Sequence, residues 1–141
     1  MLVRLIYASR SPQAISNKLV ESILSASQVN NPDSGITGLL CYSQQVFVQA
    51  IEGGRDEVNQ LFQRLAKDPR HTDVTLLQYQ EITQRRYANW SMARVALDKL
   101  NMSLLLRYSS APSLDPFRLS GESTALLLED LADSGALGTR G

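Results

Sequence analysis

Between Gly35 and Gly54 lie two β-rich runs, Gly35 to Tyr42 and Val46 to Gly54, separated only by the polar triplet Ser43-Gln44-Gln45. Two such runs with so short a polar break read as a hairpin. Helical patterns precede and follow it, so any fold for this chain must place a hairpin between two helices. Side chains alternate along a strand, so Phe47, Gln49 and Ile51 share a face, the one expected to be buried. Gln49 is then an amide among large apolar neighbours. Its two donors and its acceptor need partners, since an unpaired buried polar group costs roughly 1–3 kcal/mol. Periodicity leaves open whether protein or ligand supplies them.

The rest of the chain arranges itself about that hairpin. Leu2 to Ala8 is a short apolar run that predicts a central strand, with Val3, Leu5 and Tyr7 on one face. Ser11-Pro12 predicts a helix start, with Ser11 as N-cap and Pro12 at the first helical position. Ile15, Leu19 and Ile23, flanked by Val20 and Leu24, carry the apolar stripe to about Ser27, and the cluster Asn30-Asn31-Pro32-Asp33-Ser34-Gly35 ends it. A second helix is predicted from Arg55 to Ala66, with Val58, Leu61, Phe62 and Leu65 inward, stopped by Asp68-Pro69. Strands follow at Val74 to Thr83 and at Trp90 to Leu97. The order is the split βαβ arrangement of ferredoxin-like folds. The predicted class is therefore α+β, a βαββαββ sheet with both helices on one face. The first and third strands are expected side by side and parallel, which puts Tyr7 next to Gln49. Two tail helices complete the pattern, Lys99 to Tyr108 and Ser123 to Asp133. A linker at 111–116 joins them, and Gly135 is the expected C′ residue. The predicted division is residues 1–97 as one domain and 98–141 as a helical extension.

Composition narrows the chemistry. The 141 residues carry 14 Lys plus Arg against 14 Asp plus Glu, so no bulk field draws nucleic acid or an anionic membrane. No apolar run approaches the roughly 20 residues of a membrane span. The opening Met-Leu-Val-Arg-Leu-Ile-Tyr reads as a strand rather than a signal peptide, so the expected location is the cytoplasm. One cysteine, Cys41, excludes an internal disulfide, and one histidine, His71, leaves metal clusters and Cys–His or Ser–His–Asp catalysis without parts. There is no Gly-rich phosphate loop of standard spacing. Cys41, Trp90 and Met92 read by default as core. Tyr7 with Gln49 is the unusual pair, and a purely structural hydrogen bond between them stays open.

Six blocks occur in one order: Leu5-Ile-Tyr7-Ala-Ser9, Asn30-Asn31, Gly35-Ile-Thr-Gly-Leu-Leu40, Phe47-Val-Gln49-Ala-Ile-Glu-Gly53, Asp68-Pro-Arg-His71 and Arg85-Arg-Tyr-Ala-Asn-Trp90-Ser-Met92. Together they resemble the BLUF domain, a blue-light sensor that uses flavin, over about residues 1–97. Tyr87 stands where phenylalanine is usual in that family and Gly54 where proline is common.

The resemblance implies FAD as cofactor, with FMN or riboflavin as possible substitutes, its ring lying between the two helices. Ile23 and Leu65 would flank the ring and Asn31 would hydrogen-bond its polar edge. Asn30, Arg64, Arg70 and His71 would be further contacts, either arginine facing the phosphates. Gln49 would touch flavin and Tyr7 together, Tyr7 giving an electron and a proton through Gln49 when light is absorbed. Ser9, Trp90 and Met92 would relay the rearrangement to the tail helices. By the same resemblance the chain is a sensor without enzymatic turnover. Its output would pass through a homo-oligomer (a dimer or larger ring) or a separate response protein. Two rivals share the topology: a small enzyme similar to acylphosphatase, with Arg70 and Asn31 on phosphate, and a dimeric binding domain that pairs through its hairpin edge. The first lacks an anion-binding loop, and neither would be coloured.

Overall fold

A computed structural model of the chain describes residues 1–30, 35–89, 92–97 and 102–134, with all their side chains except those of 26–30 and 102. The elements are β1 (Leu2–Arg10), α1 (Asn17–Asn30), β2 (Thr37–Ser43), β3 (Val46–Gly54), α2 (Arg55–Lys67), β4 (Thr72–Ile82), β5 (Ala93–Ala96), α3 (Met102–Tyr108) and α4 (Gly121–Asp133), with a 3₁₀ turn at Pro116–Arg118. The predicted α+β order of elements is present, and the five strands form one sheet ordered β4-β1-β3-β2-β5.

The sheet divides the molecule into a front and a back. Val3, Leu5 and Tyr7 of β1 and Phe47 and Ile51 of β3 face the front, where they meet Val20, Ile23 and Leu24 of α1 and Val58, Leu61 and Leu65 of α2. The alternate residues, Ile6, Ala8, Val48 and Ala50, face the back with Val95, under Leu105 of α3 and Leu127, Leu128 and Leu131 of α4. Burying each large side chain of this kind contributes about 1.5–3 kcal/mol. Leu114 and Pro116 of the expected linker are buried as well. Leu126 on α4 is half exposed.

Several expectations are corrected. β1 pairs with β3 antiparallel, with Tyr7 directly opposite Gln49. The connections from β1 to β2 and from β3 to β4 each skip one strand, and the β2–β3 hairpin reverses the strand that fills the gap. Ser11-Pro12 does not start α1. The N–H groups of Ser11 and Ile15 donate to the Gln45 and Gln44 carbonyls of the hairpin turn, each at 2.8 Å, so this segment is held against the turn, bent at Pro12 and Gln13, instead of starting a helix. Ser16 caps instead, its Oγ accepting from the Leu19 N–H at 3.1 Å. The final strand begins at Ala93, after Met92, and α3 begins at Met102. Asn31, Trp90, Lys99 and Gly135 lie outside the described residues.

β4 is irregular where it passes Tyr7. Ile6 pairs with Gln78 and Tyr7 with Leu76, so Leu77 is an extra residue, and a second shift lies between Ala8 and Arg10 beside Asp73 at φ 52. Bulges of this kind re-aim side chains. At Gly121 the start of α4 comes so close to β4 that a Cβ there would lie 2.2 Å from the Leu77 carbonyl oxygen.

Candidate functional site

The front face brings Tyr7 and Gln49 into contact at the centre of the sheet. Both are fully buried, and the Tyr7 hydroxyl donates to Gln49 Oε1 at 2.6 Å. The other end of the amide points to the last strand, Gln49 Nε2 donating to Met92 Sδ at 3.4 Å. Thioether sulfur is a weak acceptor, so among the described residues the amide has one strong and one weak partner. Burial pushes the Tyr7 phenol well above its ordinary value, with Asp68 acting in the same direction, so the hydroxyl keeps its proton. Phe62 of α2 packs at a tilt on the Tyr7 ring, centroids 5.6 Å apart.

Gly38 explains how Met92 gets so near. A Cβ at Gly38 would lie 2.1 Å from the Ala50 carbonyl oxygen and 3.2 Å from Met92 Cε. Only glycine leaves space for both the neighbouring strand and the methionine.

Ser9 and His71 extend the site. Both are buried, and Ser9 Oγ lies 2.7 Å from His71 Nδ1. The imidazole meets the Tyr7 ring edge-on, centroids 6.1 Å apart, and packs on Phe47 at 5.1 Å. Its Nε2 is buried and has no hydrogen-bond partner among the described residues. Burial lowers the His71 pKa from its ordinary value; Asp68 opposes that shift and Arg70 adds to it. Below its unfolded value near ~6.5, the folded chain therefore binds fewer protons than the unfolded one, and stability falls as pH drops through that range. The slope is at most about 1.4 kcal/mol per pH unit for one proton. Since His71 is the only histidine, His71→Gln should flatten the fall between pH 7 and 5. Urea unfolding at the two pH values checks this, and an unchanged slope would show that the imidazole is not its source.

Arg70 is committed inside the chain. Its Nε lies 3.0 Å from both carboxylate oxygens of Asp68, and its Nη1 donates to Ser22 Oγ on α1 at 3.1 Å. Those side-chain bonds hold the Asp68 carboxyl below its ordinary value. Arg70 thus ties the end of α2 to α1, across the front of the sheet. Ile23 and Leu65 are buried in the front cluster with Tyr7, and Arg64 is exposed on α2. Asn30 ends α1, its side chain outside the description, as are Asn31 and Trp90. Among the predicted residues the structure thus groups Tyr7, Ser9, Gln49, His71 and Met92, with Ile23 and Leu65 above them. The roles of Phe62, Gly38 and Asp68 were not read from the sequence. Phe62 had only its place on the helical stripe to mark it, and Gly38 only its place inside a strand run.

This donor set fits the flavin that the resemblance implies. A ring edge alternating donors and acceptors suits an amide held by one strong partner and an imidazole nitrogen buried without one. Apolar residues of α1 and α2 provide walls for a flat aromatic system. Among the described residues no group of three or more His, Cys, Asp or Glu side chains could hold a metal, and no helix is long and apolar enough to cross a membrane.

Comparisons with known proteins show the family. A family model described as sensors of blue light using FAD matches residues 2–93. The chain is 32% identical over 100 residues to photoactivated adenylate cyclase subunit beta of Euglena gracilis, a match covering 70% of this chain and 12% of that protein. The chain thus spans about an eighth of the length of that relative. BlrB, a BLUF protein solved in its dark state, is 36% identical with a TM-score of 0.76, over 94% of this chain and 96% of that one. BlsA in its photo-activated state is 28% identical with a TM-score of 0.82, over 93% and 94% of the two chains. The chain belongs to the BLUF family, the sensors of blue light that use FAD.

Proposed function

We propose that this chain is a blue-light switch, a sensor without turnover, whose photochemical residues are Tyr7 and Gln49. The observation that carries this reading is the buried 2.6 Å bond from the Tyr7 hydroxyl to Gln49 Oε1, with Nε2 of the same amide on Met92. When bound, FAD supplies absorption of blue light and an excited-state oxidant. Tyr7 is the phenol placed to answer that oxidant with an electron, and Gln49 Oε1 is placed to take the proton. Both return to Tyr7 when the charges recombine, so the chemistry closes without product. The amide need not return to its starting orientation. Reversing it sets Oε1 against Met92 Sδ, two lone pairs facing, so Met92 loses its hydrogen bond. That gives the site two states that differ in what they hold.

In this reading Ile23 and Leu65 flank the ring, and Asn31, Asn30, Arg64, Arg70 and His71 hold its polar parts. FMN or riboflavin could replace FAD if the ring is the part recognised. Ser9, Trp90 and Met92 sense the change. Residues 1–97 are the sensor, and 98–141 the output or oligomerisation extension. Leu106 on α3 and Leu126 on α4, 53% and 47% exposed, support a covering partner there, a further copy of the chain or a separate response protein. The single buried cysteine supports a place in the reducing cytoplasm.

The purified protein should be yellow, and blue light should shift its absorption reversibly to the red. A colourless protein that ignores added FAD would return the question to the enzyme and binding-domain rivals. Met92→Ala should still show a red shift while weakening any light-dependent change in the size of the assembly. Size-exclusion chromatography in dark and light reads the second effect, and an undiminished change would remove Met92 from the relay.

A further inference from the structure

Residues 83–92 connect β4 to β5 and end at the methionine that meets Gln49. Three consecutive residues in this segment grip three different parts of the molecule. Arg85 Nη1 donates to the Gly35 carbonyl and to Thr37 Oγ1, at the start of β2. The Arg86 and Tyr87 backbone N–H groups donate to the Glu52 carboxylate at 2.9 and 2.7 Å. The Arg86 side chain reaches α4, with Nε 3.5 Å from Glu129 Oε1 and Nη2 paired with Asp133.

Glu52 is the fixed point of this arrangement. It is fully buried on the back of β3, three residues beyond Gln49, and it also accepts from Arg4 Nε and Nη2, each at 2.7 Å. Four donors on one buried carboxylate pin the backbone at 86–87 in place. Arg4 and Arg86 both lie against the Tyr87 ring, 6.0 and 5.7 Å from its centroid. One side of the pin leads to Met92 on the front. The other carries the Arg86 guanidinium to α4 on the back.

Taking the switch reading above as given, we propose that Arg86 is a positioning residue that couples Met92 to α4, with Glu52 as fulcrum. Release of Met92 by Gln49 tilts the segment about residues 86–87, and the Arg86 pairs with Glu129 and Asp133 carry that tilt to the last turns of α4. The two orientations of the Gln49 amide are the two-state element, and the Arg86 pairs are the contacts through which α4 distinguishes them.

The test compares the flavin-bound full chain with Arg86→Gln, Arg86→Lys and a Glu129→Gln/Asp133→Asn double variant. Absorption spectra and amide hydrogen exchange are recorded in the dark and under blue light. All four proteins should keep the red shift. Exchange in α4 should differ between dark and light in the natural chain, and that difference should fall about two- to fivefold in Arg86→Gln and in the double variant, the range for exposed ion pairs. Arg86→Lys should restore part of it, since it keeps the charge and loses the fork. An undiminished difference in Arg86→Gln, a lost red shift in that variant, or no light-dependent exchange in α4 of a natural chain that does shift would each overturn the coupling. A natural chain that binds flavin without any red shift would overturn the switch reading itself.

Discussion

Tyr7→Phe should leave the protein yellow and abolish its reversible red shift. The ring volume is kept, so the front cluster and its contact with Phe62 persist, and only the hydroxyl that donates to Gln49 at 2.6 Å is removed. Phenylalanine lacks the readily oxidised phenol and its transferable proton, so nothing at this position answers the excited flavin. The variant also leaves Gln49 Oε1 buried without its donor, which should lower stability by roughly 1–3 kcal/mol. Gln49→Leu attacks the same bond from the other side. It keeps approximate volume and flavin binding, and strands the Tyr7 hydroxyl without an acceptor. Absorption before and after illumination, together with flavin content, reads both variants. A normal photocycle in either one would refute the assignment of these two residues.

Glu52→Ala should be the most destabilising single change outside Tyr7 and Gln49, at about 3–5 kcal/mol. The carboxylate is fully buried and accepts from an arginine whose side chain is only 15% exposed and from two backbone N–H groups. Removing it leaves the Arg4 charge uncompensated and two donors orphaned. For a domain whose whole stability is of order 5–15 kcal/mol, that is a large share. Pairing Glu52→Leu with Arg4→Met removes the stranded charge, so the double variant should be more stable than the sum of the single changes implies. It should not recover fully, because the Arg86 and Tyr87 N–H groups still lack an acceptor. Chemical denaturation of the natural chain, Glu52→Ala, the two single changes Glu52→Leu and Arg4→Met, and their double variant measures this, and a loss under about 1 kcal/mol for Glu52→Ala would rule out the anchoring role.

Strand alternation was enough to place Tyr7 and Gln49 together, and it did so despite an error in strand direction. Period-2 patterning says which face a residue occupies and is the same for parallel and antiparallel neighbours. Thus the partnership of Tyr7 with Gln49 was legible while the polarity of β1 against β3 was misassigned. The start of α1 was misplaced for another reason. Ser11-Pro12 is a good local signal, but the N–H groups of Ser11 and Ile15 find acceptors in the hairpin turn some thirty residues away, and no local rule reports such a partner. Alternation puts Glu52 on the back of β3, opposite Gln49, and says nothing of what it binds. Its acceptor role depends on backbone groups 34 and 35 residues further along. An acid inside an otherwise apolar strand was the available signal.

The place of β1 between β3 and β4 also bears on how the molecule is made. Its partners begin at Val46 and Thr72, so neither edge of the strand that carries Tyr7 can be satisfied early in synthesis. The hairpin of β2 and β3 can close first from its own neighbouring residues. β1 then has to join it across the length of α1, and stays open on its far edge until Ile82 has emerged. Pairings over such separations close slowly, and an unpaired apolar strand is exposed to wrong partners while it waits. Tyr7 therefore rides on a strand whose second edge is covered only late in synthesis, and the nascent chain can become a sensor only after its fourth strand has docked.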